Sequence, residues 1–263
     1  MIHGRFVLVL RAAVLAFAAL ASSAPGASAQ TAPSSPVVSP PPPSDFMLGR
    51  PKGFISVDGG FLFASAGSDL YEFVTNQLTV EKKNFNAPVI GGRVGVMISP
   101  RLEVGVLYEN AKSQTASEYR DFIDNAGLPI TQTTMRQDHQ IAATVRWSLL
   151  PSGRRISRFA WIPRTLTPFI GAGAGAMKYR FEQYGSFVDF QTLRVFNDSF
   201  RSEGWAPSVH ALAGADLRVF RKLYLMGEAR YTWSSAKLSA DFVDFEPIDL
   251  AGARVGASLK LVF

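Results

Sequence analysis

The stretch Asp249-Leu-Ala-Gly-Ala-Arg-Val-Gly-Ala-Ser-Leu-Lys-Leu-Val-Phe263 decides the fold of this chain. Its apolar residues recur at every second position up to Leu259, Leu261 and Phe263, while Lys260 falls on the other parity. Successive side chains of a β-strand point to opposite faces of the sheet, so this stretch predicts a strand with one apolar and one polar face. We therefore expect a sheet whose two surfaces differ in polarity.

Seven further segments alternate in the same way, and most have the 9–11 residues that a tilted strand needs to cross a bilayer. In seven of the eight strands, the face opposite the apolar one carries polar or charged residues, and we predict that this face points inward. The fifth strand has Gly on that face, and its predicted outer face consists of Ile170, Ala172, Ala174 and Ala176. The eight predicted strands are Gly53–Phe63, Pro88–Ile98, Arg101–Asn110, Arg136–Leu149, Thr167–Phe181, Trp205–Phe220, Leu223–Ser234 and Asp249–Phe263.

The links between these strands alternate in length. Ser99-Pro100 and Arg221-Lys222 are short, whereas the links after strands one, three, five and seven have roughly 15 to 25 residues. Short turns on the periplasmic side and long loops outside are typical of outer-membrane barrels, although the link 150–166 is long for a periplasmic turn. We predict an all-β fold, an eight-stranded antiparallel up-and-down transmembrane β-barrel. The alternative, a soluble lipocalin-like barrel, does not explain an apolar outer face on all eight strands.

The N-terminus has the features of an export signal. Arg5 and Arg11 precede an apolar run, Ala12–Ala21, and a small-residue stretch closes on Ala27-Ser28-Ala29. This pattern predicts a secretory signal peptide, residues 1–29, cleaved before Gln30. The alternative, a membrane anchor, needs about 18 or more apolar residues, and this run is shorter.

Proline dominates the segment that follows. Residues 30–52 contain seven of the 16 prolines of the chain, together with Ser and Ala. Such a composition favours an extended, polyproline-like segment over a packed one, so we predict a disordered linker at 30–52 and the barrel at 53–263.

Composition excludes some chemistry. The chain has no cysteine, so disulfides, thiol catalysis and cysteine zinc sites are excluded. Its 27 Lys and Arg against 21 Asp and Glu give +6, and removal of Arg5 and Arg11 leaves 25 against 21, or +4. In an exported protein, this excess favours contact with anionic lipid or cell-wall polymer over nucleic acid.

Charged residues on the inward parity predict a polar lumen. Eight strands enclose a space that side chains can fill, and an unpaired charge there is costly. The balance of five carboxylates and six cations favours a salt-bridge network that plugs the barrel; the alternative is a gated, narrow ion path. The predicted network consists of Asp58, Arg93, Glu103, Glu109, Arg146, Asp216, Arg218, Glu228, Arg230, Arg254 and Lys260.

Aromatic residues concentrate between Phe181 and Phe200 and could extend strands five and six beyond the membrane. One interpretation is an exposed binding or adhesion surface. The other is a hairpin that packs its aromatics on neighbouring loops. The candidate loop-binding aromatics are Tyr184, Phe187, Phe190 and Phe196.

These features carry a family resemblance. The chain resembles the OmpA-like superfamily of eight-stranded barrels, which has OmpX-like, OmpW-like and opacity-type members. The residues that carry the resemblance are Ala27-Ser28-Ala29, the run Gly171-Ala-Gly-Ala-Gly175, the run Gly252-Ala-Arg-Val-Gly256 and terminal Phe263. The resemblance implies that Phe263 belongs to the signal read by the barrel-assembly machinery. It also implies contact with outer-membrane lipid and lipopolysaccharide. Because the sequence stops at the barrel, we expect it to differ from full-length OmpA in lacking a peptidoglycan-binding domain.

Enzymes of this architecture, such as lipid A deacylases and acyltransferases, combine Ser, His and an acid at the rim or on the lipid face. After the signal peptide the chain has two histidines, His139 and His210; Asp138 precedes the first and Ser208 lies near the second. No deacylase-like His-x-Ser pattern is present, so we predict no catalytic residues, no metal and no cofactor.

Two function classes remain alongside that enzymatic alternative. The first is a structural or surface-interaction protein of the bacterial outer membrane that supports envelope integrity, adhesion or host contact. The second is a narrow channel or transporter for ions or small apolar compounds. In both, the linker and the C-terminus are expected in the periplasm.

Overall fold

The computed structural model describes residues 46–263, so the predicted signal peptide and linker residues 30–45 lie outside the described residues. The described part contains one α-helix, α1 (Asp69–Gln77), and two 3-10 segments, Lys82–Phe85 and Ala240–Phe242. Its strands are β1 Met47–Leu48, β2 Gly53–Ala64, β3 Ala87–Met97, β4 Leu102–Ile123, β5 Pro129–Ser148, β6 Gly153–Arg155, β7 Ala160–Pro163, β8 Leu166–Val188, β9 Val195–Arg218, β10 Leu223–Ala236, β11 Ile248–Asp249 and β12 Gly252–Val262.

Eight of these strands form a closed ring in the order β2-β3-β4-β5-β8-β9-β10-β12. The ring closes where β12 pairs with β2, from Gly252 opposite Ala64 to Val262 opposite Phe54. Neighbouring strands of the ring are antiparallel, and closure leaves the ring without a free edge along its paired length. The predicted eight-stranded up-and-down barrel is confirmed.

The outer face of the ring is apolar, as predicted. In β12, Leu259 and Leu261 are exposed, whereas Arg254 and Lys260 point inward and are buried. The other strands follow the same rule, and an outward apolar band is the surface that lipid requires. Exposed members of this band include Val57, Phe61, Ile90, Val94, Val106, Ile141, Val145, Ile170, Val209, Leu225, Trp233 and Val255. No helix within residues 46–263 is long and apolar enough to span a membrane.

The two ends of the barrel differ. We call the end of the barrel that contains Gly53, Phe263 and the short turns 98–101 and 219–222 the termini end, and we call the opposite end the hairpin end. At the hairpin end β4, β5, β8 and β9 continue well past the predicted strand limits. The predicted long loop after strand three is therefore wrong, because 124–128 is a short turn between extended strands. After strand five, the predicted possibility of an extension of strands five and six is the one that the structure shows, with a short turn at 189–194.

Local turn chemistry explains this correction. Asp124 Oδ1 accepts hydrogen bonds from the backbone N–H groups of Ala126 and Leu128, at 2.8 and 2.7 Å, and Gly127 has a φ of +78°. A left-handed residue beside an Asp-centred turn is well suited to reverse a strand. At the other tip, Asp189 likewise accepts a backbone hydrogen bond from Gln191.

The polarity of the strand faces changes along these extensions. In β8 the outward residues are apolar up to Ala176 and become Lys178, Arg180 and Glu182, while the inward residues Met177, Tyr179 and Phe181 are fully buried. The strand keeps its alternation, but the apolar side moves from outside to inside. The apolar band on the outer face, called the apolar belt below, therefore ends on the hairpin side where the outward residues of β8 change from apolar to charged.

The termini end is covered by a three-stranded sheet in the order β1-β7-β6. Met47 pairs with Trp161, and both pack in a buried cluster with Phe54 and Tyr224. Arg50 donates hydrogen bonds to the carbonyl oxygens of Met97 and Ile98. The prediction of disorder thus does not hold for residues 46–52, the last part of the predicted linker, because apolar residues there find a partner in the hairpin β6–β7.

Candidate functional site

Four charged side chains form a closed cluster in the lumen near the termini end. Lys260 Nζ lies 2.8 Å from Glu103 Oε1 and 2.9 Å from Asp216 Oδ2. Arg146 Nη1 and Nη2 lie 3.1 Å from Glu103 and from Asp216, respectively. Each carboxylate therefore contacts both cations, and their buried charges compensate one another.

A second cluster fills the middle of the lumen. Arg93 donates two hydrogen bonds, of 2.9 and 3.0 Å, to the carboxylate of Glu228. Arg230 and Arg254 stand directly opposite each other on β10 and β12, a repulsive pair by itself. Glu109 reaches across the lumen from β4 and contacts both guanidinium groups, with Arg254 Nη1 at 2.8 Å. One carboxylate thus holds two neighbouring strands together.

The two remaining predicted lumen residues are placed differently. Asp58 is buried and accepts a hydrogen bond of 2.9 Å from Ser56 Oγ. Arg218 is half-buried at the termini end of β9, opposite Tyr224.

Little space remains among these side chains. Asp58, Arg93, Glu109, Glu228, Arg230 and Arg254 line a cavity of about 30 Å³. A cavity of this size accommodates one or two water molecules.

Sequence reasoning missed a third layer. Arg136 Nη2 lies 2.8 Å from Asp138 Oδ2, and the same guanidinium donates to Tyr71 Oη and to the carbonyl of Leu250, each at 3.1 Å. Gln140, the next inward residue, accepts a hydrogen bond from Arg254. The sequence signal for this layer was alternation, because Arg136, Asp138 and Gln140 each lie an even number of positions from the inward residue Arg146.

The two histidines have separate environments. His139 contacts Tyr108 Oη at 2.9 Å and Gln137 Nε2 at 3.0 Å. His210 is buried, and its Nε2 lies 3.3 Å from Thr144 Oγ1, whereas Ser208 accepts a hydrogen bond from Gln140. Across residues 46–263 no group of three or more His, Asp or Glu side chains is placed to hold a metal ion.

An apolar plug closes the hairpin end above the charges. Helix α1 buries Leu70, Tyr71 and Val74, and Val74 follows the other two by four and three positions, the spacing of one helix face. Tyr71 packs edge-on against Phe85 and Phe181, at 4.7 and 5.9 Å between ring centroids. Burial raises the pKa of the Tyr71 hydroxyl well above its ordinary range.

The candidate loop aromatics lie at the hairpin end, where one is buried among its neighbours and three are exposed. Phe187 is buried and packs on Phe196 and Phe200, at 5.9 and 4.8 Å between centroids. Phe190 and Phe196 stay 49% and 40% exposed and line an open groove of about 210 Å³. Tyr184 lies on the outer face of β8, where it accepts a hydrogen bond from Gln114.

Phe263 lies at the termini end. Its backbone N–H donates to the carbonyl of Gly53 at 2.9 Å, and its ring is 62% exposed. Its role in assembly stays a prediction, since the contacts show only how the residue is held.

Comparison with known proteins gives only structural likeness. No family model matches the chain, and no curated protein matches it. Neisserial surface protein A is similar at 11% identity, with a TM-score of 0.46, over 80% of this chain and 97% of its own. The outer-membrane protein OprG from Pseudomonas aeruginosa is similar at 10% identity, with a TM-score of 0.42, over 82% of this chain and 99% of its own. The strand pairings, rather than these likenesses, define the chain as an eight-stranded transmembrane barrel.

Proposed function

We propose that the protein is a bacterial outer-membrane barrel with a structural or surface-interaction role and a lumen that does not conduct ions. The observation that carries the proposal is the closure of the lumen by paired charges: the nine charged side chains of the two lumen clusters each have 9% or less of their side-chain surface exposed. The apolar plug and the β1-β7-β6 sheet cover the two ends.

The orientation follows from the same reasoning. Short turns face the periplasm in outer-membrane barrels, so the termini end is proposed to be periplasmic and the hairpin end external. The apolar belt would contact outer-membrane lipid and lipopolysaccharide. The exposed aromatics Phe190 and Phe196 then become a candidate surface for cell-surface or host ligands.

Single-channel recording in planar bilayers tests the closed lumen. We expect no steady conductance steps from the purified barrel, because every charge cluster would have to open for an ion to pass. Steady steps that change in size with Glu228→Gln or Arg254→Gln would contradict the proposal and favour the narrow-channel alternative. Glu203→Gln, on the outer face of the β9 extension, is the matched control and should change nothing.

The assembly role proposed for Phe263 has a separate test. Phe263→Ala should lower the amount of folded barrel in outer membranes of producing cells, while refolding of the purified chain into lipid vesicles stays unchanged. Equal loss in both experiments would assign the residue a purely structural role. Neither result depends on conductance.

A further inference from the structure

The two ends of the barrel differ in charge. We use the term termini-end segments for residues 46–53, 98–101, 149–165 and 219–222, and hairpin-end segments for residues 65–86, 124–128, 189–194 and 237–251. The termini-end segments contain nine Lys and Arg and no Asp or Glu, whereas the hairpin-end segments contain four Lys and Arg and nine Asp and Glu. Eight of the nine termini-end cations are exposed. The termini end therefore presents a basic face that suits an anionic partner.

This basic face begins where the apolar belt ends. Ile98, Leu166 and Val219 are the outward residues at the termini end of their strands, and they are 50–55% exposed. Each has a cation two or three positions away in the sequence, namely Arg101, Arg164 and Arg221. Three residues span at most about 10 Å, and the headgroup layer on each side of a bilayer is roughly 5–7 Å thick. The basic face therefore begins at the level of the lipid phosphates.

Exposed apolar side chains accompany the cations on this face. Ile156, Phe159 and Phe220 are 60–69% exposed, and each is next to an Arg in the sequence. Apolar and cationic residues side by side are typical of segments in a bilayer interface, where apolar groups leave water and cations meet anionic lipids. A hydrated cell-wall polymer would bind the cations but would offer these side chains no apolar surroundings. The composition therefore favours lipid over polymer.

An open pocket of about 390 Å³ brings the two kinds of side chain together. Arg50, Arg221 and Lys222 line it with Leu48 and Phe263, which are 88% and 62% exposed. Because Phe263 continues the outer apolar face of β12, the pocket adjoins the apolar belt. A headgroup phosphate in this pocket meets three cations, while the acyl chains of the same lipid follow the belt.

We propose that the termini end binds the phosphate headgroups of anionic phospholipids in the leaflet that it faces. The cations pair with the phosphates, and the exposed apolar side chains enter the interface beside them. This inference rests on the proposed outer-membrane location and names the lipid chemistry recognised there. It does not depend on whether the lumen conducts.

Spin-labelled lipids test this preference. The barrel is reconstituted in lipid vesicles, and electron paramagnetic resonance gives the relative association constants of spin-labelled phosphatidylglycerol and phosphatidylcholine. We expect phosphatidylglycerol to be preferred about fivefold or more at low salt, the ratio that corresponds to one cation near an anionic surface. In 1 M salt, where the Debye length is about 3 Å, the preference should largely disappear.

A matched pair of double variants locates the preference. Arg154→Gln with Lys222→Gln removes two exposed cations from the termini-end segments. Lys82→Gln with Lys237→Gln removes the same charge from the hairpin-end segments. We expect the first variant to lower the preference about twofold or more and the second to leave it unchanged.

Three results would overturn the inference. These are equal association constants for the two lipids in the unmodified barrel, a preference that persists in 1 M salt, or equal losses in the two double variants. Equal constants together with retention of the barrel on insoluble peptidoglycan would assign the basic face to cell-wall polymer instead. A chain that does not insert into vesicles would contradict the proposed membrane location, which separates that failure from a missing lipid preference. If only the termini-end variant does not insert, the salt dependence of the unmodified barrel decides.

Discussion

The barrel is closed in two different ways, by charges in the lumen and by apolar side chains in the plug at the hairpin end. Inside the belt the outer face must be apolar for lipid, so the polar half of each strand points inward and its charges pair. Beyond the belt the outer face meets water, so β8 turns Met177, Tyr179 and Phe181 inward instead. The same alternating strand therefore builds opposite interiors, and the solvent outside decides which one forms.

The largest expected effect comes from the carboxylate that joins two arginines. Glu109→Gln removes the ion-pair partner of Arg254 and leaves Arg230 with Glu228 alone, at 3.9 Å. Removal of one partner from a buried charge group costs about 3–5 kcal/mol. We expect the free energy of unfolding, measured in urea with lipid vesicles, to fall by about that amount. A loss below about 1 kcal/mol would show that water reaches this cluster and compensates its charges.

A smaller and more local effect is expected in the plug. Leu70 is fully buried in the apolar cluster, and Leu70→Ala should cost about 2–4 kcal/mol through the cavity it leaves. Because α1 is not one of the paired strands of the ring, amide hydrogen exchange should accelerate in Asp69–Gln77 and stay slow in β2 and β12. Val243→Ala, at a side chain 76% exposed in a neighbouring loop, is the control and should leave exchange unchanged. Equal acceleration in the ring would mean that plug and barrel unfold together.

Alkaline pH should distinguish the apolar plug from the charged lumen. Burial raises the pKa of Tyr71, so the folded state holds this proton more tightly than the unfolded state does. The resulting stabilisation is complete below the ordinary tyrosine pKa of about 10 and is lost as pH rises above it. The protection of the α1 amides, which is the intrinsic exchange rate at each pH divided by the observed rate, should therefore fall above this pH, and Tyr71→Phe should remove that fall. An unchanged dependence in the variant would assign it to another group.

The smallest effect is expected on the outer face of the extension. Glu203 contacts Arg201 and, at 3.3 Å, Arg180, but these side chains are 39–43% exposed. Solvent screens such pairs, so Glu203→Gln should change the free energy of unfolding by less than about 1 kcal/mol. The comparison with Glu109→Gln in the same urea assay is direct, because both changes remove one carboxylate charge. Similar losses in the two variants would contradict the distinction between lumen and surface.

Particular residues show where sequence reasoning reached its limit. The inward position of Lys260 and Arg254 followed from alternation, and so did the eight strands and the outward belt. Arg136 and Asp138 lie within the predicted fourth strand and share that alternation, but they were not assigned to the interior, because the outward residues beside them, Gln137 and His139, are polar. The extension of β4 and β5 was also missed, since its outer residues are polar and resemble a loop.

The sequence by itself determined which face of each strand is apolar, because alternation depends only on local chain geometry. It also indicated the number of strands and thereby a space that side chains can fill. Only the tertiary structure decided which charges meet, since Glu109 reaches Arg230 and Arg254 from β4 across a ring that must first close. Closure also decided where α1 lies, because the contacts of Tyr71 with Arg136 and Phe181 join residues far apart in the chain.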